Sequence, residues 1–331
     1  MKDPLISVIM PVYNAGQYLV EAVESILGQE LTDFEFIIIN DGSTDDSSGI
    51  LGNFAERDPR LLVVNRPNGG YSSALNEALE RTRGRFIARM DADDISLPAR
   101  FSRQVEFLQR NREHVAVGTK AIVVDREGDP VTFRDCPIDH DTIDGDHMKG
   151  FGGQIVHPSV MIRREAMEAV GGYRTEFEPA EDLDLFLRLA EIGRLANLSE
   201  FLLKYRLHDK NTSVTRVREQ FLKSKRAVLE AGERRGLQPE VQSENNERGQ
   251  FMVSAIDQKK YYIRAAIEAG FLRTARKHAW RIWRQHSSSV SAWNLLFRSL
   301  TGMKAETALR MSRLVRLGTR KKPPVDTCIP L

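Results

Sequence analysis

The chain has 331 residues, of which 41% are hydrophobic and 28% charged, a mixture typical of a globular protein that buries a core. The length predicts two domains, or one large domain with an appendage. Cys136 and Cys328 are the two cysteines and form no CxxC pair, so neither a zinc ribbon nor a disulfide framework is indicated and a reducing, cytosolic compartment fits best. No apolar run reaches about 18 residues and the N-terminus lacks a signal-peptide core, so we expect a soluble or peripheral protein.

The formal net charge of +2 conceals an uneven distribution. Residues 251–331 contain 16 Lys and Arg against 4 Asp and Glu, whereas residues 1–250 contain 32 against 42. This asymmetry predicts a separate surface role for the basic part. Three alternatives stay open for it: a solvated helical cap, attachment to an anionic membrane surface, and contact with a protein or acidic polymer. Nucleic acid is not an expected partner, because no recognition motif accompanies the basic residues.

Strands and helices alternate along the first part of the chain. Short apolar runs predict strands at residues 5–12, 35–40, 61–64 and 85–90. Helices are predicted at residues 17–29, 45–56 and 72–81, and a fourth helix opens at Pro98. The alternation indicates an α/β fold, with a mostly parallel sheet flanked by helices.

The pattern changes after about residue 112. Strands are predicted at residues 115–124, 155–162 and 201–205, and a helix at residues 181–192. The polar residues 135–153 predict a mobile loop. From residue 214 the chain is predicted to be helical, with a polar linker at residues 238–250 and at least two helices in the basic tail. We therefore expect an α/β domain at residues 1–213 and a helical, basic C-terminal region at residues 214–331.

Two acidic turns follow directly after predicted strands. The first contains Asp41, and the second is Asp91-Ala92-Asp93-Asp94. In open α/β sheets, ligands bind at the carboxyl ends of the strands. Carboxylates gathered there suit a hard cation such as Mg²⁺ or Mn²⁺, which typically also holds substrate phosphates. Each turn taken alone is also compatible with the capping of a following helix.

The order of five motifs resembles glycosyltransferase family 2, the inverting nucleotide-sugar enzymes of the GT-A fold. The resemblance covers roughly residues 5–210. It is carried by residues 7–14 (SVIMPVYN), residues 38–45 (IINDGSTD), Asn68-Gly69-Gly70 with Ala74-Leu75-Asn76, residues 90–94 (MDADD) with Pro98 and Arg100, and Gly171-Gly172-Tyr173 with Ala180-Glu181-Asp182. It implies a GT-A, Rossmann-like domain with a C-terminal helical appendage.

The resemblance implies roles in donor binding. Pro11 and Tyr13 would flank the nucleobase, and Asp41 would accept a hydrogen bond from its imino group. Glycines before a helix such as Gly69 can let a phosphate approach backbone N–H groups, although most Asn-Gly pairs are only turns. Asn40 is a departure, since the family usually carries Asp at this position, but Asp41 keeps the position that reads the base.

The resemblance also implies a metal site and a base. Asp91 would contact the ribose or the sugar, and Asp93 would bind a Mn²⁺ or Mg²⁺ ion that bridges the two phosphates. His208 is a candidate further metal ligand, with a surface histidine as the alternative. Asp182 matches the catalytic base. Because it opens an apolar helix, whose N-terminus favours an ionised carboxylate, it could take a proton from an attacking hydroxyl, although capping of that helix is the alternative.

The resemblance thus predicts transfer of one sugar from a UDP-linked donor to a hydroxyl of a saccharide or lipid-linked acceptor, with inversion. Cell-surface polysaccharide or glycolipid assembly is the expected setting, in the cytoplasm or peripherally on the cytoplasmic face of the membrane. The Gln-x-x-Arg-Trp motif of processive synthases is absent. Two alternatives stay open: a sugar nucleotidyltransferase, although residues 5–14 lack its Gly-rich triphosphate loop, and a non-catalytic nucleotide-sugar-binding protein, which would not need Asp182.

Overall fold

The computed structural model describes residues 3–208, 216–240, 255–285, 287 and 290–302. The chain divides into two compact units. The first, called here the α/β unit, comprises Met1–Gly128 and Phe133–Gln250. The second, called here the C-terminal unit, comprises Asp129–Thr132 and Phe251–Leu331.

Nine strands lie in the described part of the chain. They are β1 (Ile6–Val12), β2 (Phe34–Asp41), β3 (Leu61–Arg66), β4 (Phe86–Arg89), β5 (Ile95–Ser96), β6 (His114–Val124), β7 (Pro130–Arg134), β8 (Met161–Arg163) and β9 (Arg194–Arg206). Along the main path of the sheet the order is β3-β2-β1-β4-β8-β6-β9-β5. The first four strands are parallel, whereas β8 runs antiparallel to both β4 and β6. Because β1, β2 and β4 share one direction, the turns after them meet at one edge of the sheet.

Helices cover both faces of this sheet. In the α/β unit they are α1 (Gly16–Leu27), α2 (Ser47–Ala55), α3 (Tyr71–Leu79), α4 (Arg100–Arg110), α5 (His140–His147), α6 (Arg164–Ala169), α7 (Glu181–Ala190) and α8 (Val217–Arg235). Alternate residues of a strand point to opposite faces. Val8 and Met10 accordingly belong to the core beneath α1 and α4, and Ile9 to the core beneath α3 and α7. Burial on both faces explains why β1 and β2 have no exposed position.

Two predictions in the middle of the chain were wrong. Residues 135–153 are not only a loop, because they contain α5, whose first turn is capped by Asp139 accepting the Thr142 N–H at 2.9 Å. The predicted strand at residues 155–162 is reduced to β8, preceded by a short 3₁₀ helix at His157–Ser159. Pro158 lies in that 3₁₀ helix, where it lacks the N–H that a strand ladder would need. Polar helices and short strands of this kind lack the hydrophobic period that reveals longer elements.

The α/β unit extends beyond residue 213, where we predicted the domain boundary. Helix α8 belongs to it because Ala227, Val228 and Ala231 form one buried cluster with Phe177 and α7. The helix ends at Gly236, which adopts a left-handed conformation with φ of 64°. Most of the predicted linker at residues 238–250 lies outside the described residues.

The C-terminal unit contains three helices in its described residues. They are α9 (Ala255–Glu268), α10 (Leu272–Gln285) and α11 (Val290–Thr301). Small and aliphatic side chains form their common core, including Ala266, Ala279 and Leu295. Among the described residues, no helix combines the length and the apolar character needed to cross a bilayer.

Candidate active site

A cavity of about 1040 Å³ opens at the sheet edge where β1, β2 and β4 end. Seven of the eight predicted site residues line it: Pro11, Tyr13, Asp41, Asp91, Asp93, Asp182 and His208. The eighth, Gly69, is not part of the lining but contacts Asp41 through its backbone N–H. Residues spread over almost 200 positions of the chain are therefore gathered around one space.

Asp41 organises the first side of the cavity. Its Oδ1 accepts hydrogen bonds from Arg66 Nε at 2.6 Å and from the Gly69 N–H at 2.9 Å. Its Oδ2 accepts one bond, from the Gly70 N–H at 3.0 Å, so this oxygen keeps a lone pair for a further donor. Tyr13, on the same side, is 56% exposed and offers its ring to a ligand.

Asn40, the departure from the family pattern, serves the structure of the same turn. Its side-chain amide donates to Asn65 Oδ1 at 2.7 Å, and its oxygen accepts the Ser43 N–H at 3.3 Å. An amide supplies a donor and an acceptor at once, which a carboxylate does not. Asn40 is therefore satisfied within the protein.

The second acidic turn is held by buried cations and a tyrosine. Asp91 Oδ1 lies 2.5 Å from Arg89 Nη2 and accepts from the Tyr71 hydroxyl at 3.0 Å. Burial raises the pKa of Asp91 to about 6, and Arg89 opposes this shift. The charges of Asp93 and Asp182 add to it. The base candidate and the acidic turn are thus close enough to interact electrostatically.

Asp93, Asp94 and His208 meet around the end of β9. His208 Nε2 lies 2.7 Å from Asp93 Oδ2, and its ring stacks on Tyr18 at 5.2 Å. Arg206 supports the turn by donating its backbone N–H to Asp94 Oδ1 and its Nε to the Asp93 carbonyl, both at 2.8 Å.

These residues fit a hard divalent cation. Carboxylate oxygens of Asp91, Asp93 and Asp94 lie within 4.8 Å of one another. The buried Asp94 Oδ2 has no hydrogen-bond partner among the described residues. Burial and the charges of Asp93 and Asp91 raise the pKa of Asp94 well above its usual range. Three crowded carboxylates, one with an orphaned buried oxygen, form an oxygen-donor set of the kind that Mg²⁺ or Mn²⁺ prefers.

Asp182 lies on the first turn of α7 and lines the same cavity. Its Oδ1 accepts the N–H of Leu183 at 2.8 Å. Burial raises the pKa of Asp182, whereas this hydrogen bond and the charge of Arg89 lower it. Burial and the charge of Asp182 also raise the pKa of the adjacent Glu181 to about 8, which favours the protonated form of Glu181 near pH 7.

His157 lies in the cavity wall and contacts Tyr173. The His157 Nε2 and the Tyr173 hydroxyl are 2.9 Å apart and both side chains are buried. Burial and the nearby Arg89 hold the pKa of His157 well below its usual range. A neutral, buried ring held by the Tyr173 hydroxyl suits a structural role for His157.

Sequence reasoning missed three arginines that hold this site. Arg66 binds Asp41, Arg89 binds Asp91, and Arg206 binds the turn that carries Asp93. All three end or nearly end a strand, and Arg89 interrupts an otherwise apolar run. The signal available in the sequence was a charged residue within a run of apolar residues that predicts a buried strand.

Solved structures share this architecture. Staphylococcus aureus TarS 1-349 in complex with UDP-GlcNAc has a TM-score of 0.55 at 17% identity, over 95% of this chain and 92% of that chain. The mannosyltransferase PcManGT from Pyrobaculum calidifontis, in complex with GDP-Man and Mn²⁺, has a TM-score of 0.53 at 19% identity, over 97% and 89%. The fold is that of the GT-A glycosyltransferases, which confirms the predicted fold class.

The sequence carries the family assignment. Residues 7–171 match the profile of Glycosyl transferase family 2. The Bacillus subtilis glycosyltransferase EpsE is 36% identical over 208 residues, which cover 61% of this chain and 73% of EpsE. The O-antigen biosynthesis glycosyltransferase WbnJ of Escherichia coli is 35% identical over 63% of this chain and 82% of WbnJ. The chain belongs to glycosyl transferase family 2 and is a glycosyltransferase, as predicted.

Proposed function

We propose that this enzyme transfers one sugar from a UDP-linked donor to an acceptor hydroxyl, with inversion at the anomeric carbon. One observation carries the proposal: the acidic turn and Asp182 line the same cavity, and the charge of Asp182 raises the pKa of Asp91. Inverting displacement needs a base on the face of the sugar opposite the leaving diphosphate. The acidic turn, which would bind the donor, and the separate carboxylate of Asp182 line one cavity, and this supports that arrangement.

The donor nucleotide would lie along the ends of β1 and β2. Pro11 and the exposed ring of Tyr13 would flank the nucleobase. The remaining lone pair of Asp41 Oδ2 would accept the imino N–H of uracil. The Gly69 and Gly70 N–H groups hold Asp41 in place for this contact. A base without such an N–H, as in cytosine or adenine, would leave a buried carboxylate oxygen less well satisfied, which favours uracil over these two bases.

Asp93 and His208, with Asp91 and Asp94 beside them, would hold Mn²⁺ or Mg²⁺. When bound, such an ion neutralises the charge that develops on the departing diphosphate. Arg206 keeps Asp93 and Asp94 in position through its backbone and side-chain hydrogen bonds. Asp91 is left with a lone pair for the ribose or the sugar, since Arg89 and Tyr71 both bind its Oδ1.

Asp182 would accept the proton of the attacking hydroxyl. Its raised pKa brings the carboxylate closer to the pH at which the enzyme works, which improves a general base. Partial burial of the group also limits access of bulk water. A base of this kind contributes about 10²–10⁴-fold in rate.

The experiment measures UDP release from a panel of UDP-sugars with Mn²⁺, together with UDP binding by calorimetry. Asp182→Asn should lower turnover at least about 100-fold and leave UDP affinity within about twofold, because it removes only the base. Asp93→Ala should abolish the Mn²⁺ dependence of UDP binding. Asp141→Asn, at an exposed carboxylate of α5, is the matched control and should change neither measurement. Wild-type turnover by Asp182→Asn would refute the base assignment.

The acceptor would be a saccharide or a lipid-linked sugar in the assembly of cell-surface polysaccharide or glycolipid. The name of WbnJ, an O-antigen biosynthesis enzyme, supports this setting. The cavity is large enough for two ligands, and its far wall comes from α8 through Val217, Gln220 and Phe221. That wall mixes apolar and polar side chains, which suits a sugar acceptor.

The C-terminal unit would attach the enzyme to an anionic, cytoplasmic membrane face. Trp280, Trp293 and Phe297 are 49%, 53% and 57% exposed, and Arg273 and Arg284 are exposed on the same helix as Trp280. Aromatic rings suit the membrane interface, and each basic residue near an anionic surface contributes about 1 kcal/mol.

Sedimentation with phosphatidylglycerol vesicles should show weak, salt-sensitive binding that phosphatidylcholine vesicles do not support. Trp280→Ser combined with Phe297→Ser, and a chain truncated after Gln250, should each lose it. Leu62→Ser, at an exposed apolar residue of the α/β unit, is the control and should keep it. Equal vesicle binding by the truncated chain would contradict the assignment.

A further inference from the structure

Arg100 is a fully buried arginine with no assigned role in donor binding or base catalysis. It opens α4, soon after the acidic turn at residues 91–94, and is 0% exposed. Its Nη2 donates to the Arg89 carbonyl at 2.6 Å. Its Nη1 contacts the Met90 sulfur at 3.5 Å and the Ser96 Oγ at 3.4 Å. Because Arg89 and Met90 precede the turn and Ser96 follows it, one guanidinium joins both ends of the turn.

Charge pairing does not explain the burial of Arg100. Among the described residues its hydrogen bonds go to neutral acceptors only: the Arg89 carbonyl, the Met90 sulfur, the Ser96 hydroxyl and the Gln104 amide oxygen. Burying a charged group is costly unless it is hydrogen-bonded, and an apolar side chain could fill the same space without that cost. What an apolar side chain could not supply is a rigid, planar set of donors with fixed directions. The structural contribution of Arg100 is therefore the geometry that it imposes on its acceptors.

The direction of the Arg100 side chain is itself fixed by the core. Gln104, one helical turn later and also 0% exposed, accepts from Arg100 Nε at 3.2 Å. The Gln104 Nε2 donates to the carbonyls of Val117 and Ser159, both at 2.8 Å. Val117 belongs to β6, so this chain of hydrogen bonds leads from the sheet through Gln104 to Arg100. The sheet thus sets where the two ends of the acidic turn lie.

We propose that Arg100 is the positioning residue of the metal site, and that it adjusts the acidic turn to a small octahedral ion, Mn²⁺ or Mg²⁺, and against Ca²⁺. This inference rests on the proposed function and deepens it, because it assigns the residue that determines the metal preference. Arg100 does not line the cavity and acts through the backbone of the turn. Mg²⁺ requires nearly ideal octahedral geometry with oxygens at about 2.0–2.1 Å, whereas Ca²⁺ accepts flexible geometry at about 2.3–2.6 Å. A turn held at both ends cannot spread to suit the larger ion.

The test measures the Kd of UDP by calorimetry with Mn²⁺, with Mg²⁺ and with Ca²⁺, and the free energy of unfolding by urea. Arg100→Lys keeps the charge and removes the fork that joins the two ends of the turn. Arg163→Lys is the matched control. Arg163 is 5% exposed, lies outside the cavity and donates to the carbonyls of Leu108 and His114 at 2.5 and 2.8 Å, around the other end of α4. Both substitutions should lower the free energy of unfolding, so a general loss of stability is common to both.

In the wild type, UDP should bind at least about tenfold more weakly with Ca²⁺ than with the better of the two small ions. Arg100→Lys should raise the Kd of UDP about 10–100-fold with that small ion and less than about threefold with Ca²⁺. Arg163→Lys should leave every Kd within about twofold of the wild type. Ser96→Ala removes the acceptor at one end of the turn and replaces Arg100→Lys if that variant does not fold. It should raise the Kd about fivefold with the small ion and change it less with Ca²⁺.

Three results would overturn the inference. They are an unchanged Kd with the small ion in a folded Arg100→Lys, or in Ser96→Ala where that variant decides; an equal rise with the small ion and with Ca²⁺; and the same pattern in Arg163→Lys. Wild-type binding that is equally tight with Ca²⁺ would also contradict the metal preference but leave the proposed function intact. Wild-type UDP binding that needs no divalent ion would instead refute the metal assignment within the proposed function, so the two failures are distinguishable.

Discussion

The packing of His147 against α7 makes a quantitative prediction about the helix that carries Asp182. His147 ends α5, is fully buried and stacks on Phe186 with ring centres 5.6 Å apart and planes 5° apart. Neither ring nitrogen has a hydrogen-bond partner in the part of the chain that the structure describes. Burial lowers the pKa of His147 to about 3, with Arg235 adding to the shift and Asp146 opposing it.

The sign of the effect follows from where the proton binds. In the unfolded chain a histidine has a pKa of about 6.5, so below that pH the unfolded chain takes up a proton that the folded protein refuses. Proton uptake by the unfolded state lowers the free energy of unfolding as the pH falls from about 6.5 towards 3. For these two pKa values the loss between pH 7.5 and pH 4.5 is about 2.5 kcal/mol.

Replacing His147 by Leu or Phe removes this contribution to the pH dependence of the free energy of unfolding. We compare the free energy of unfolding of each variant with that of the wild type at both pH values. The difference, variant minus wild type, should be about 2.5 kcal/mol larger at pH 4.5 than at pH 7.5. All other titrating groups are common to the two proteins and cancel in this difference. Far-UV circular dichroism during urea unfolding is the suitable signal, because the three tryptophans all lie in residues 280–293 and report on the C-terminal unit. A difference that does not change with pH would show that His147 is protonated in the folded protein and would refute the packing argument.

Two further substitutions test how the acidic turns are held. Arg206→Lys loses the guanidinium group that binds the Asp93 carbonyl and Glu21. It should lower the free energy of unfolding by about 2–3 kcal/mol, measured by urea unfolding. It should also weaken Mn²⁺-dependent UDP binding about tenfold, measured by calorimetry. Unchanged UDP binding would mean that the turn does not depend on Arg206. Gly42→Ala places a Cβ 2.6 Å from the Asn68 N at a φ of 74°, and should lower the free energy of unfolding by about 1–3 kcal/mol. A wild-type melting temperature for Gly42→Ala would contradict the strained turn.

Elements with a strong local pattern were predictable. The strands β1 to β4 appear within two residues of the predicted bounds, because buried parallel strands are short apolar runs between turn residues. Helix α4, predicted to open at Pro98, begins at Arg100 and buries Phe101, Val105 and Leu108, which recur at helical spacing. Elements whose existence depends on distant contacts were missed. Helix α5 is polar and contains Gly145, so only its packing on α7 and the Asp139 cap reveal it.

The buried arginines could not be assigned from the sequence. Arg206 and Asp93 are 113 residues apart, and Arg66 and Asp41 are 25 apart, so no local period links them. A lone arginine in a strand is compatible with an exposed edge or with a buried ion pair. Only the fold shows that Arg66, Arg89 and Arg206 hold the two acidic turns.

The sequence by itself determined the family, the four parallel strands and the chemistry at their ends. These follow from short-range features: hydrophobic period, turn residues and the acidic residues placed directly after each strand. The tertiary structure alone decided how Arg66, Arg89 and Arg206 hold the acidic turns and that α8 completes the α/β unit. It also places Asp182, some ninety positions after Asp91, at the same cavity, as the resemblance implied. The physical reason is that side-chain burial and charge pairing arise from contacts between distant segments, and packing of α7 on the sheet sets which carboxylates share one space.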